Sequence, residues 1–284
     1  MRGITVLALV LIGATAVLSA ATPQKGAAGK GGPGNKMKGP GDHKAGGNKP
    51  GNKVQVLRTE PTIYATGNTG AGACVPAGTM YYTTTDNKLI RSDPAGSFKK
   101  VETQIADNVA YSFNGYDDGL WYVDTEGKVW RVHYQGKPEV VPGQPDGVKF
   151  ARVSPRTYDE TYAVTQDNRL FHYVAHEWIE DENAKNARDS GTGYGGSAMY
   201  VDTDSKIFKF DFKQNQWVPY EKNGKGFDIY DVDTVVVFDD KGNAEKRVNG
   251  TWVPVTESKC NDVFINVDSF VCISPDKHVK LIPY

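Results

Sequence analysis

The sequence predicts an all-β fold, a six-bladed β-propeller preceded by a disordered Gly/Lys-rich arm. Two β-favouring runs around a polar turn of three or four residues recur six times along residues 54–284. A third run, often carrying a Trp, follows each pair, and a further short run precedes it. No stretch shows a convincing 3.6-residue apolar rhythm, so the period is that of strands, not helices.

The recurring pairs are residues 80–90, 120–130, 162–171, 199–208, 235–244 and 270–279. Aligned on the residue after the turn (Lys88, Lys128, Arg169, Lys206, Asn243, His278), they are spaced by 40, 41, 37, 37 and 35 residues. The turns hold Asn, Asp, Gly and Ser, which tolerate the positive φ of tight hairpins. Trp178, Trp217 and Trp252 recur in the third run, with Phe98 in the matching place of the first unit. Four short strands per unit of about 40 residues is the count of a propeller blade. One such unit cannot cover its own apolar faces, so the units must stack or close into a ring.

The ends of the body argue for closure. The last unit stops one strand short, at Val279-Lys280-Leu281-Ile282-Pro283-Tyr284, while Val54-Gln55-Val56-Leu57-Arg58 is left over in front of the first. Pairing them would complete the sixth blade and latch the ring. Closure would also make the first and sixth units neighbours. On that ground a Cys74–Cys260 disulfide is expected, with Cys272 buried and free on a central strand. Cys260–Cys272 is the competing pairing.

The amino-terminal 53 residues are of another kind. Met1-Arg2, the apolar run from Ile4 to Leu18, and Ser19-Ala20-Ala21 read as a secretory signal peptide over 1–21, its apolar stretch short for a bilayer span. Residues 22–53 hold 10 Gly and 7 Lys against one acid, Asp42, with no Val, Ile, Leu or aromatic. Such a segment has nothing to bury against its ordering entropy, and disorder is expected. Removing this arm (+6) and Arg2 from the chain's net charge of −1 leaves −8 on residues 54–284. A basic arm on an acidic body suits a polyanionic matrix or mineral as partner of the arm. The near-neutral total gives no sign of nucleic-acid binding. The expected location is extracellular.

Residues 162–171 followed by Glu177-Trp178-Ile179, and residues 120–131, resemble a tectonin-type propeller repeat. Glu126-Gly127-Lys128-Val129-Trp130 keeps the Gly-x-Val-Trp core of that repeat, and several units lack the Gly. The resemblance implies a propeller over about residues 60–284 and a role in binding glycans or microbial surface lipids. It transfers no ligand residues.

Chemistry-bearing motifs are sparse. There is no Gly-x-Ser-x-Gly elbow, Ser-x-x-Lys pair or phosphate loop, so no enzyme activity is expected. His172 and His176 share a face on a strand, but about 13 Å apart, too far for one metal. The acidic turns at Asp202-Thr203-Asp204, Asp231-Val232-Asp233 and Asp239-Asp240 lack the spacing of a high-affinity calcium loop and read as hairpin turns. No metal or other cofactor is expected. The Trp series reads as packing between blades, with stacking on sugar rings as the alternative. Two irregular loops, holding Tyr116, Asp117 and Asp118 in one and Tyr194 in the other, are the candidate ligand-binding residues. Asn249-Gly250-Thr251 is a glycosylation sequon. Together these features give a secreted, non-catalytic, lectin-like module recognising glycans or glycosylated surfaces. A structural matrix protein held by its arm is the alternative, and a propeller hydrolase or lyase with carboxylates converging in its channel comes third.

Overall fold

A computed structural model describes residues 54–67, 78–94, 100–115, 119–193, 196–231, 233–248, 250–255, 259–265 and 269–283. The expected signal peptide and arm lie outside these residues. The described residues form 24 strands in six antiparallel four-stranded sheets. Blade one contains β2 (Thr62–Gly67), β3 (Met80–Thr84), β4 (Leu89–Pro94) and β5 (Lys100–Ala106). Blade two contains β6 (Val109–Asn114), β7 (Gly119–Asp124), β8 (Val129–His133) and β9 (Glu139–Val140). Blade three runs through β10 (Phe150–Thr157), β11 (Glu160–Thr165), β12 (Leu170–Val174) and β13 (Glu177–Glu180). Blade four follows with β14 (Ala187–Thr192), β15 (Ala198–Asp202), β16 (Ile207–Asp211) and β17 (Gln216–Pro219). Blade five has β18 (Gly226–Asp231), β19 (Thr234–Phe238), β20 (Ala244–Val248) and β21 (Thr251–Pro254).

The sixth blade takes β22 (Asp262–Ile265), β23 (Ser269–Ile273) and β24 (Val279–Pro283) from the end of the chain and β1 (Gln55–Arg58) from its beginning. Gln55 faces Leu281 and Val56 faces Lys280 across the antiparallel seam. The latch expected from the leftover strand is therefore present.

The second strand of each blade explains the long apolar runs in the sequence. Successive side chains point to opposite faces of a sheet, and here each face meets a different neighbour. Met80 and Tyr82 pack at the junction of blades six and one, while Tyr81 packs at the junction of one and two. Val236 and Phe238 pack toward blade six, and Val235 and Val237 toward blade four. Each of the six junctions has its own apolar cluster. A buried Val or Phe contributes roughly 1.5–3 kcal/mol, so either face left bare would be costly. The recurrent Trp residues join these clusters. Trp178 packs on Phe150 and Tyr173, and Trp217 on Tyr162 of the preceding blade and Tyr200 of its own. The Trp217 indole N–H donates to Asp181 at 2.7 Å.

One turn is built six times. Its left-handed residue is Asn87, Gly127, Asn168, Ser205, Gly242 or Lys277, with φ between 60° and 86°. In each turn a Thr, Asp or Ser stands at its start. Thr84, Asp124, Thr165, Asp202 and Asp239 accept backbone N–H groups from the residue four positions on, and the Ser274 hydroxyl donates to the His278 carbonyl. The acidic turns at Asp202 and Asp239 are thus accounted for as turn caps. Carbonyls of the same left-handed residues accept the first N–H of the following blade, as in Val109 to Asn87, Phe150 to Gly127, Cys260 to Gly242 and Thr62 to Lys277.

The disulfide differs from the expected pairing. Cys260 is bonded to Cys272, with Cα atoms 5.4 Å apart, so Cys272 is not free; Cys74 lies outside the described residues. Cys260 occupies the place held by Thr62, Val109 and Phe150 in other blades, a plug buried between sheets. Asn261 donates to the Ile273 carbonyl at 2.7 Å, which folds the chain back over β23 and sets Cys260 beside Cys272. Registry within blade six outweighed the closeness of blades six and one. A non-reducing peptide map is expected to join the Cys260 and Cys272 peptides. Replacing both by Ser should cost about 2–3 kcal/mol in unfolding free energy through the short loop released, measured by denaturant titration.

Candidate functional site

The first strand of each blade lines the central axis, and register fixes which residue faces it. The position two after the N–H that bonds the preceding turn is Tyr64, Tyr111, Arg152, Gly226 or Asp262 in blades one, two, three, five and six. In blade four, the Asn186 carbonyl matches those of Pro61, Asn108 and Lys149 in accepting the N–H of the residue just after its own blade's second strand, which makes Asp189 the equivalent residue. In blades one to four this residue directly follows a register shift, at Ile63, Ala110, Ala151 and Arg188. Such bulges re-aim a side chain. The fold repeats six times and the chemistry at this level does not.

These side chains meet. The Tyr64 and Tyr111 rings pack edge to face at 4.6 Å. Arg152 lies over both, 5.3 and 5.1 Å from their centroids. Its guanidinium pairs with Asp189 at 2.7 Å and reaches the Tyr64 hydroxyl at 3.4 Å. Blades one and three are not neighbours, so the Tyr64–Arg152 contact is made on the axis itself. One level deeper, side chains tie neighbouring inner strands. Thr66 accepts from Asn114 N–H, the Ser154 hydroxyl donates to the Ser190 carbonyl, and Asp228 accepts from Ile265 N–H at 2.6 Å.

Three carboxylates therefore converge in the channel, with unlike environments. Asp189 accepts Ser190 N–H at 2.9 Å besides its ion pair; burial raises its pKa, and Arg152 opposes the rise. Asp228 has both oxygens occupied by N–H groups, of Ile229 and Ile265. Burial still pushes it up to about 7, helped by the charges of Asp262 and Asp189. In Asp262 one oxygen accepts Val263 N–H, and burial raises the group to about 6 against the pull of Arg152. Burial also raises the Tyr64 and Tyr111 phenols, so both are neutral donors at ordinary pH. Among the described residues no cluster of three or more His, Cys, Asp or Glu is placed to hold a metal ion.

The axis opens into a funnel of about 370 Å³ on the face carrying the repeated turns. Tyr64, Arg152, Arg188, Asp189, Lys225, Asn261, Asp262 and Lys277 supply its polar lining. Gly226 leaves one place in the ring without a side chain, and a Cβ there would come within 2.4 Å of the Phe238 ring.

Tyr116, Asp117, Asp118, Tyr194 and Asn249 lie outside the described residues. Flanking strand ends, closed by Gly115 N–H to the Gly119 carbonyl and Gly193 N–H to the Ser197 carbonyl, belong to the rim opposite the funnel. His172 contacts Glu160 at 3.2 Å and stacks on Tyr162, and His176 sits in a turn. The axial residues were missed although a signal existed. An Arg or Asp in the middle of a strand that should be an inner, apolar one marks a side chain with something to face.

No protein-family model matches the chain. No curated protein matches it. Solved propellers do. YCF48 bound to a D1 peptide is similar with a TM-score of 0.57 and 10% identity, covering 82% of this chain and 96% of that one. An inactive virginiamycin B lyase from Staphylococcus aureus, with quinupristin, has a TM-score of 0.54 and 9% identity, covering 74% and 78%. The WD40 propeller of Doa1 has a TM-score of 0.53 and 9% identity, covering 81% and 95%. The chain is a six-bladed β-propeller, and its neighbours are propellers of unlike function.

The raised carboxylates set a pH dependence. A buried acid whose folded pKa lies above its unfolded value penalises the fold when ionised. The penalty is full above pH 7, is relieved as pH falls through 7 and 6, and no further gain follows below about 4. The melting temperature is therefore expected to rise between pH 8 and pH 5. D262N, which keeps an acceptor for Val263 N–H, should raise it most at pH 8 and by less at pH 5, the difference closing only below about pH 4, the unfolded value of an Asp, read by scanning calorimetry.

Proposed function

We propose that this protein is a secreted, non-catalytic, lectin-like propeller that binds a glycan at the mouth of its axial funnel. The observation that carries the reading is the joining of a tyrosine ring to planar polar side chains in one funnel. Sugar hydroxyls are met by Asn261 and Asp262 as acceptors and Arg188 as donor, and the Tyr64 ring offers apolar surface to ring C–H groups. The tectonin resemblance points to the same ligand class. On this reading the ring is preorganised by the Arg152–Asp189 pair, so little ordering entropy is spent on binding.

The convergence of Asp189, Asp228 and Asp262 favours one second reading, a propeller hydrolase or lyase. Asp228 spends both oxygens on backbone N–H groups and Asp189 is paired with Arg152. Asp262 is then the available acid or base, and acid–base cleavage of a glycosidic bond usually takes two such groups. Binding without turnover fits the supply better. The matrix-protein reading puts the interaction in residues 22–53 and predicts retention that high salt abolishes.

A glycan array probed with the full chain is expected to give saccharide hits that persist at high salt. Y64A and D262A should each weaken those hits about tenfold. A blank array, or hits indifferent to both changes, would remove the lectin reading. Cleavage of a bound glycan, lost in D262N, would instead establish the enzyme.

A further inference from the structure

We propose that the funnel mouth selects an anionic sugar residue, one bearing a carboxylate or a sulfate, whose charge is received by Arg188, Lys225 and Lys277. This rests on the lectin reading and narrows it.

Charge is distributed against expectation. Residues 54–284 carry −8, yet the funnel lining holds four cations, Arg152, Arg188, Lys225 and Lys277, against Asp189 and Asp262. Arg152 is consumed by Asp189. Among the described residues the other three cations have no carboxylate at ion-pair distance, although Arg131, Arg169 and Arg247 elsewhere on the surface each hold two. The three come from separate elements: the bulge of β14, the approach to β18, and the β23–β24 turn. They come from the consecutive blades four, five and six and line one arc of the funnel, where the Arg188 guanidinium also donates to the Lys225 carbonyl.

Lys277 carries the point further. It is the left-handed residue of its turn, at φ 63°, where the other five blades have Asn, Gly or Ser. A left-handed conformation carries a steric cost for an ordinary L-residue that Gly escapes. No ion pair among the described residues offsets that cost in the free protein. A cation held at this one turn, the turn that borders the funnel, is explained by something it meets there. Space for the ligand exists beside it in the funnel of about 370 Å³, which Lys225 and Lys277 line together with Asp189 and Asp262.

Calorimetric titration of the full chain tests this with three small probes: a glucuronate-terminated disaccharide, its carboxyl-reduced counterpart, and a sulfated disaccharide. Single-residue charges at this size keep the polybasic arm from dominating through multivalency. One or both charged probes are expected to bind about tenfold more tightly than the neutral one. Which of the two does so identifies the anion as carboxylate or sulfate. K225E should weaken the charged probe at least tenfold. K277G should also weaken it while raising the melting temperature, which separates loss of a ligand contact from loss of fold. Equal binding of neutral and charged probes, sensitive to Y64A, overturns the anion preference and leaves the lectin reading standing. Charge preference unchanged in K225E and K277G overturns this assignment of the cations. Failure of all three probes overturns both.

Discussion

The structure depends on one constraint: a four-stranded sheet whose second strand is apolar on both faces must be covered on both. Val235-Val236-Val237-Phe238 shows how tightly this binds the fold. Alternate residues serve junctions with blades four and six, and no arrangement of blade five alone hides both sets. The same holds around the chain until the sixth sheet meets the first. Ring closure is thus the lowest-cost way to leave no apolar face in water. An axis follows from the ring, and the axis is the one place where residues from non-adjacent blades touch.

Chemical variety is concentrated there for a related reason. Packing between blades tolerates only shape-matched apolar residues, and the turns demand caps and left-handed residues. Both sets of positions repeat because the physics repeats. The axial position is released from both demands, and it alone varies freely: Tyr, Tyr, Arg, Asp, Gly, Asp. Asymmetric chemistry on a symmetric frame is how one propeller site differs from another.

The fold was legible because its signals are local. Turn caps, positive-φ residues and apolar strands all lie within ten residues of one another, and six repetitions reinforce each. The latch strand was legible from a missing partner at the other end. The disulfide was not, since choosing between Cys74 and Cys272 required the backbone reversal at Asn261, which a sequence does not display. The funnel was harder still. Tyr64, Arg152 and Asp262 are separated by some 200 positions, and what unites them is a bulge register seen only after strands are paired. Attention to polar residues inside inner strands would have found Arg152 and Asp189; nothing local marks Gly226, whose importance is an absence.

The seam and the covalent cross-link occupy different halves of blade six. Cys260–Cys272 fastens the inner part of that sheet, whereas β1 is held by its ladder to β24, by Leu57 in the cluster between blades six and one, and by the ion pair of Arg58 with Glu102. Reduction of Cys260–Cys272 would therefore loosen the wall that carries Asp262 and leave the pairing of β1 with β24 bonded.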